Sequence, residues 1–358
     1  MWNASFPRLA LAACLLATLP VAAGQSSGDP AWVDSDVHSL AASAAVADTA
    51  DALLERTLAG EDATALIARM ERIRIDSALV PVERDAVLYR YIEQLRHLPP
   101  GSAPQRVIGW LTSAAPLAVT GHEEGPHHAV PAFNLARAAR GLANEWSWRR
   151  GHDLAVGDDR LPLPALAREL GSIPAKDPRY RGMRFAVERL PAAALDQLAM
   201  HCAGTLGGCG DARADIELAR GNTQWLRHWL ASADAAKVVP RLQHARRVLA
   251  PPNASALMQS ALEHPDPAVA AWAMSDLTAH LPKDEDGRRD WGRQLLGMLD
   301  DRELGSAAAL QLARMDADIW LEAASRKPLG ERGRRRLELL AEMAAELEAE
   351  DIIGGAKR

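Results

Sequence analysis

The sequence predicts an all-α protein, an α-solenoid of stacked antiparallel helix pairs, on three observations. Alanine leads the apolar residues, and only three Phe and three Tyr accompany ten Trp. That balance favours helices over strands, which draw on β-branched and aromatic side chains. Turn-forming residues recur at intervals of about ten to twenty positions and leave pieces of helix length with apolar residues three and four apart. Two stretches in the last third of the chain also read as one pattern written twice. No stretch shows the sustained alternation of a strand leading to a two-residue glycine turn, so no sheet is predicted.

The chain begins with one positive residue, Arg8, then LALAACLLATLPVAA, then small residues through Gly24. This is the pattern of a secretory signal peptide, assigned to residues 1–23 with cleavage near Ala23. The apolar run is shorter than the roughly 20 residues that span a bilayer and contains Pro20, so no membrane span is expected after cleavage. Leu11-Ala12-Ala13-Cys14 resembles a bacterial lipoprotein box, which gives the alternative of a lipoprotein anchored through Cys14. Otherwise the expected location is the periplasm or the medium. Residues 24–33 read as a flexible polar linker, and 34–350 as one helical-repeat domain followed by a short tail, 351–358.

Within that domain, DVHSLAASAAVADTADALLERTLAG, PVERDAVLYRYIEQLRHL, PAFNLARAARGLANEWSWRRG and PAAALDQLAMHC read as helical pieces. In the second, Val82, Ala86, Tyr89, Ile92 and Leu95 fall on one face, and Pro81 sits at the start, where its missing donor is harmless. Trp225 and Trp229 lie four apart on one helical face, and Trp146 and Trp148 stand next to Arg149 and Arg150 as possible stacking partners. For all four tryptophans core packing is the expected role. Cys202 and Cys209, with six residues between them, remain as a pair once Cys14 is removed. In an oxidising compartment they are expected to form a disulfide, which limits the unfolded chain by roughly 2 to 3 kcal/mol.

The region 252–326 is the most repeat-like. Leu262 aligns with Leu299, Asp266 with Asp301, Val269 with Leu304, Ala273 with Ala308 and Leu277 with Leu312, a period of roughly 36 residues that belongs to helical arrays. Over 252–315 these residues resemble the HEAT family, whose repeats carry a similar Leu-x-x-Pro-Asp-Pro-x-Val turn before an alanine-rich second helix. The resemblance implies a stack of helix pairs with a protein-binding role. Where that family often has Arg after the Val, this chain has Ala270 and Gly305. A last helix, 331–350, is expected to cap the array, although Arg332, Arg334, Arg335 and Arg336 at its start oppose the helix dipole.

The net charge of −6, with both signs mixed, leaves no footprint for nucleic acid. No nucleophile elbow, phosphate loop or dinucleotide fingerprint is present, so no catalytic or cofactor-binding residue is predicted and the case for an enzyme lacks a motif. The one stretch rich in ligand chemistry is GHEEGPHH, where His122, Glu123, Glu124, His127 and His128 are candidate ligands for a divalent metal. The zinc hydrolase spacing places two His one helical turn apart, whereas His122 and His127 are separated by Gly125-Pro126, which predicts a solvated loop between a helix at 103–114 and one starting near Val130. The expected function is therefore an exported interaction or scaffolding module that binds another protein of the envelope. The alternative is a metal-binding protein or metal-dependent enzyme using 122–128.

Overall fold

A computed structural model describes residues 34–122, 125–204, 209–281 and 284–342. The signal peptide with Cys14, the linker, Glu123, Glu124 and everything after 342 lie outside the described residues, as do the side chains of 121–129. The fold is all-α, packed as neighbouring helix pairs. It forms two compact units, one through Ala143 and one from Asn144.

The first unit contains α1 (Asp34–Ala41), α2 (Ala44–Leu58), α3 (Ala63–Ile75), α4 (Pro81–Leu95), α5 (Ser102–Leu111) and the start of α6 (Leu135–Val156). The stretch read as one long helical piece from Asp36 is thus two helices, divided at Ser43, whose side chain accepts from the Val46 N–H and caps α2. Asp62 caps α3 in the same way. At the start of α4, Pro81 occupies the first turn and the Glu83 carboxylate accepts from the Val80 N–H at 3.1 Å. Helix α4 is the centre of this unit, with α1, α2 and α3 packed on it. It buries Val82, Asp85, Ala86, Val87, Leu88, Tyr91, Ile92 and Leu95, a wider face than the five-residue stripe, and it leaves Tyr89 half-buried.

One sequence expectation fails here. The stretch containing GHEEGPHH is no loop: β1 (Val119–His122) pairs antiparallel with β2 (Gly125–Pro131), with His122 opposite Gly125 and Val119 opposite Pro131. Gly125-Pro126 opens β2 instead of forming a solvated loop, which a hairpin permits because both of its strands are edges and a proline near a strand start removes no ladder bond the fold needs. The flanking helices are correspondingly shorter than expected, α5 stopping at Leu111 and α6 starting at Leu135.

The second unit continues α6 and adds α7 (Leu163–Ser172), α8 (Pro178–Val187), α9 (Ala192–Gly204), α10 (Ala212–Ala219), α11 (Thr223–Leu230), α12 (Ala235–Val248), α13 (Pro251–Ala261), α14 (Pro267–Ala279), α15 (Glu285–Met298), α16 (Gly305–Leu312), α17 (Ala317–Arg326) and α18 (331–342). Helix α9 packs on α10, α10 on α11, α12 on α13, α13 on α14 and α15 on α16, and α8, α10, α12, α14 and α16 also pack in series. Asp177, Asp234, Asp266 and Asp284 each cap a helix start through the side chain. Leu262 and Leu299 each follow a helix end, Asp266 and Asp301 each accept N–H groups at the next helix start, and Ala273 and Ala308 are both fully buried. Since neither alanine has room beside it, Ala273→Leu or Ala308→Leu is expected to cost about 1 to 3 kcal/mol by overpacking, against under about 0.5 for Leu at exposed Arg302, read from urea denaturation.

Glycine permits the closest crossing. A Cβ on Gly182 of α8 would collide with the Trp148 carbonyl of α6 and lie 2.9 Å from the His152 nitrogen, and one on Gly151 of α6 would lie 2.8 Å from the Arg179 carbonyl carbon. Both obstacles are backbone and cannot rotate away. Gly182→Ala and Gly151→Ala are each expected to cost about 1 to 3 kcal/mol. Gly141→Ala, in the same α6 but with nothing within 4 Å of its Cβ position, is expected to gain up to about 1 kcal/mol from helix propensity. Equal melting temperatures for the three variants would exclude this crossing.

The expected bond joins Cys202 to Cys209, with both residues buried. The arginines that oppose the dipole of α18 also find a use: Arg336 reaches the carbonyls of Leu299 and Asp301 beyond the end of α15, while the Asp300 carboxylate accepts from Gly330 and Gly333 at the start of α18. Those two N–H donors hold Asp300 below the usual carboxylate range. The same guanidinium lies where a Cβ on Gly305 would stand, which accounts for glycine at the position where the repeat pattern expects a side chain.

Candidate functional site

Three places in the described residues concentrate polar chemistry. The first surrounds the hairpin's root. Asp85 of α4 is fully buried, and its Oδ2 accepts from the N–H groups of Leu117 (2.7 Å) and Ala118 (3.1 Å), which tethers the strand entering the hairpin. Burial pushes the Asp85 carboxyl up to about 6, against the pull of these two donors and of Arg74 and Arg84. On leaving the hairpin the chain places Phe133 against Tyr89, ring centroids 5.3 Å apart, and Asn134 then caps α6 by accepting from Arg137 N at 2.9 Å. Between α4 and α6 lies an open cleft of about 480 Å³, lined by Tyr89, Glu93 and Arg96 on one side and Phe133, Arg137 and Gly141 on the other. Arg96 pairs with Glu93 at 3.2 Å.

Of the five residues proposed as metal ligands, His122 lies in β1 and His127 and His128 lie in β2, while Glu123 and Glu124 fall outside the described residues. Their side chains lie outside the described residues, and the described His, Cys, Asp and Glu form no group of three able to hold a metal.

The second place is a buried ionic cluster linking α8, α10 and α12. Tyr180 donates its hydroxyl to Asp215 Oδ2, and Arg241 Nη2 donates to the same oxygen at 3.1 Å and to the Asp211 carbonyl at 2.8 Å. Burial, and then the Asp215 charge, push the Tyr180 phenol far up, so it stays a donor at any working pH. Beside this cluster His244 Nε2 stands 2.7 Å from the Glu188 carboxylate. The Asp215 and Arg241 side chains are under a tenth exposed and Asp215 Oδ2 takes two donors, while Asp215 Oδ1 and Arg241 Nε have no hydrogen-bond partner among the described residues, so the cluster joins the three helices without satisfying every polar atom in it. The tryptophan pair of α11 stacks with cations at its margin: Arg213 lies 4.9 Å from the Trp225 ring and Arg241 5.6 Å from the Trp229 ring, and both rings also pack on the core. Trp146 is buried as expected, while Trp148 stacks on His152 with ring centroids 5.6 Å apart.

The third place is a groove of about 470 Å³ along α15 and α17. Leu296, Ile319, Ala323 and Pro328 form an apolar floor, and Arg289, Arg293 and Lys327 rim it. Arg289 and Arg293 pair with Glu285 and Asp290 of their own helix, in contacts that stay exposed and therefore exchangeable. Among the described residues no helix is long and apolar enough to cross a membrane. No family model, no curated protein and no solved structure matches this chain.

Proposed function

We propose that the protein is an exported α-solenoid that acts as an interaction or scaffolding module and binds another protein of the cell envelope. The observation that carries this reading is the α15/α17 groove, where an apolar floor is left open between helices and rimmed by three cations in a chain whose net charge is −6. Such a rim suits an amphipathic acidic segment of a partner, apolar residues down and carboxylates outward. The repeated placement of Leu262 and Leu299, Asp266 and Asp301, and Ala273 and Ala308 supports the repeat reading, since stacked helix pairs present such grooves along their length. The disulfide and the signal-like N-terminus support export.

The test is reversible cross-linking in the intact envelope followed by mass spectrometry, comparing the native chain with Arg289→Glu/Arg293→Glu. One protein recovered with the native chain and reduced at least about tenfold with the variant, at unchanged melting temperature, is the expected result. Equal recovery from both excludes this groove as the docking face. The metal reading is tested separately by elemental analysis of untagged protein. A stoichiometric metal ion lost in a His122→Ala/His127→Ala/His128→Ala variant would replace the scaffold reading with metal chemistry at the hairpin.

A further inference from the structure

We propose that the cleft between α4 and α6 is a binding site for a small aromatic carboxylate, independent of the groove on α15 and α17. The argument begins with Gly141. Glycine within a helix costs about 1 kcal/mol relative to alanine, and it is usually retained where another part of the chain comes too close for a side chain. Gly151, in the same helix, has that reason; Gly141 does not, because a Cβ there would meet nothing within 4 Å. The open space beside the exposed Gly141 leads into the cleft, which it lines together with Arg137 one turn earlier. Nothing in the described chain uses the room, and a ligand would.

The walls state which ligand. Tyr89 and Phe133 meet at an interplanar angle of 47°, a tilted pair whose half-buried faces offer an edge and a face to a flat ring. Arg137, one helical turn before Gly141, is exposed and forms no ion pair with any described residue, so its guanidinium is available to a carboxylate. Glu93, paired with Arg96 on the opposite wall, offers an acceptor to a hydroxyl or amide on the ligand's far side. The start of α6 lies beside Arg137 and adds the favourable end of a 22-residue helix for a negative group. A volume of about 480 Å³ suits a ring with a short acid arm, within the range of about 300 to 1,000 Å³ that small-molecule sites occupy.

The experiment is saturation-transfer NMR on the full exported chain with benzoate and phenylacetate, each compared with its uncharged amide. Saturable binding of at least one acid, at least about tenfold tighter than its amide, is expected, and Arg137→Ala should weaken it by about tenfold while Arg90→Ala, on the exposed side of α4, leaves it unchanged. Gly141→Leu should abolish binding without lowering the melting temperature, since it fills the cleft with no clash at its Cβ. Arg137 is exposed, so its variant reports on the site even if the Gly141 variant misfolds. No saturable binding of either acid up to about 10 mM, equal binding of acid and amide, or binding untouched by Arg137→Ala would each overturn the proposal.

Discussion

Arg241→Met is expected to destabilise the protein by about 3 to 5 kcal/mol at neutral pH, a large share of a domain's stability. The wild-type guanidinium and the Asp215 carboxylate are both buried, their side chains 8% and 5% exposed. Two charges so placed have each lost their hydration, and each tolerates that loss because of the other. Methionine matches much of the volume of arginine but leaves Asp215 with the Tyr180 hydroxyl as its main donor, and the Asp211 and Lys237 carbonyls without the N–H groups that Arg241 gives them. Removing the whole cluster is a different matter. In Tyr180→Phe/Asp215→Leu/Arg241→Met neither charge of the Asp215–Arg241 pair remains, so the triple variant is expected to be more stable than Arg241→Met alone, although it carries three changes where the other carries one. Urea denaturation of both proteins at one pH decides the point. A triple variant that loses more than the single one would mean that packing, not charge compensation, sets the cost at this site.

The cluster also marks the limit of what the linear sequence reveals. The start of α4 was legible because Pro81 acts locally, and the aspartate caps at 62, 177, 234, 266 and 284 are equally local in cause, since each accepts from an N–H two or three residues on. The Cys202 to Cys209 bond was legible for the same reason. Asp85 was not, since it stands beside Glu83 and Arg84 in what reads as an exposed charged run, and its burial depends on N–H groups 32 and 33 positions away. The hairpin is hidden in the sequence because Gly125-Pro126 carries the same local message at a strand start as in a loop, and strands of four and seven residues leave little alternation to detect. The cationic start of α18 looked unfavourable while only its own dipole was considered; the carbonyls of Leu299 and Asp301 that Arg336 reaches belong to another part of the fold. The one local mark of the α4/α6 cleft in the sequence is a glycine inside a long helical pattern.

Asp85 leads to the second large effect, a dependence of stability on pH. Its carboxyl titrates near the ordinary 3.8 in the unfolded chain and at about 6 in the folded one, because burial penalises its charge by more than the Leu117 and Ala118 N–H groups and the nearby arginines recover. Between these values the folded state holds a proton that the unfolded state has released, so stability falls as pH rises through the window and is fully retained only below it. At about 1.4 kcal/mol per pH unit of displacement, the loss amounts to about 3 kcal/mol once Asp85 is ionised in both states. Asp85→Asn keeps an oxygen to accept from Leu117 and Ala118 and has no proton to lose, so it serves as the reference. The difference in unfolding free energy between wild type and Asp85→Asn, measured by urea denaturation from pH 4 to 8, is expected to shift by about 3 kcal/mol against the wild type and to do so mainly below pH 6.5. Because every other titrating group is common to the two proteins, the difference isolates this carboxyl. Curves that run parallel across the whole range would show that Asp85 is already ionised at its unfolded pKa when folded, and that the tether to the hairpin is an ordinary carboxylate cap.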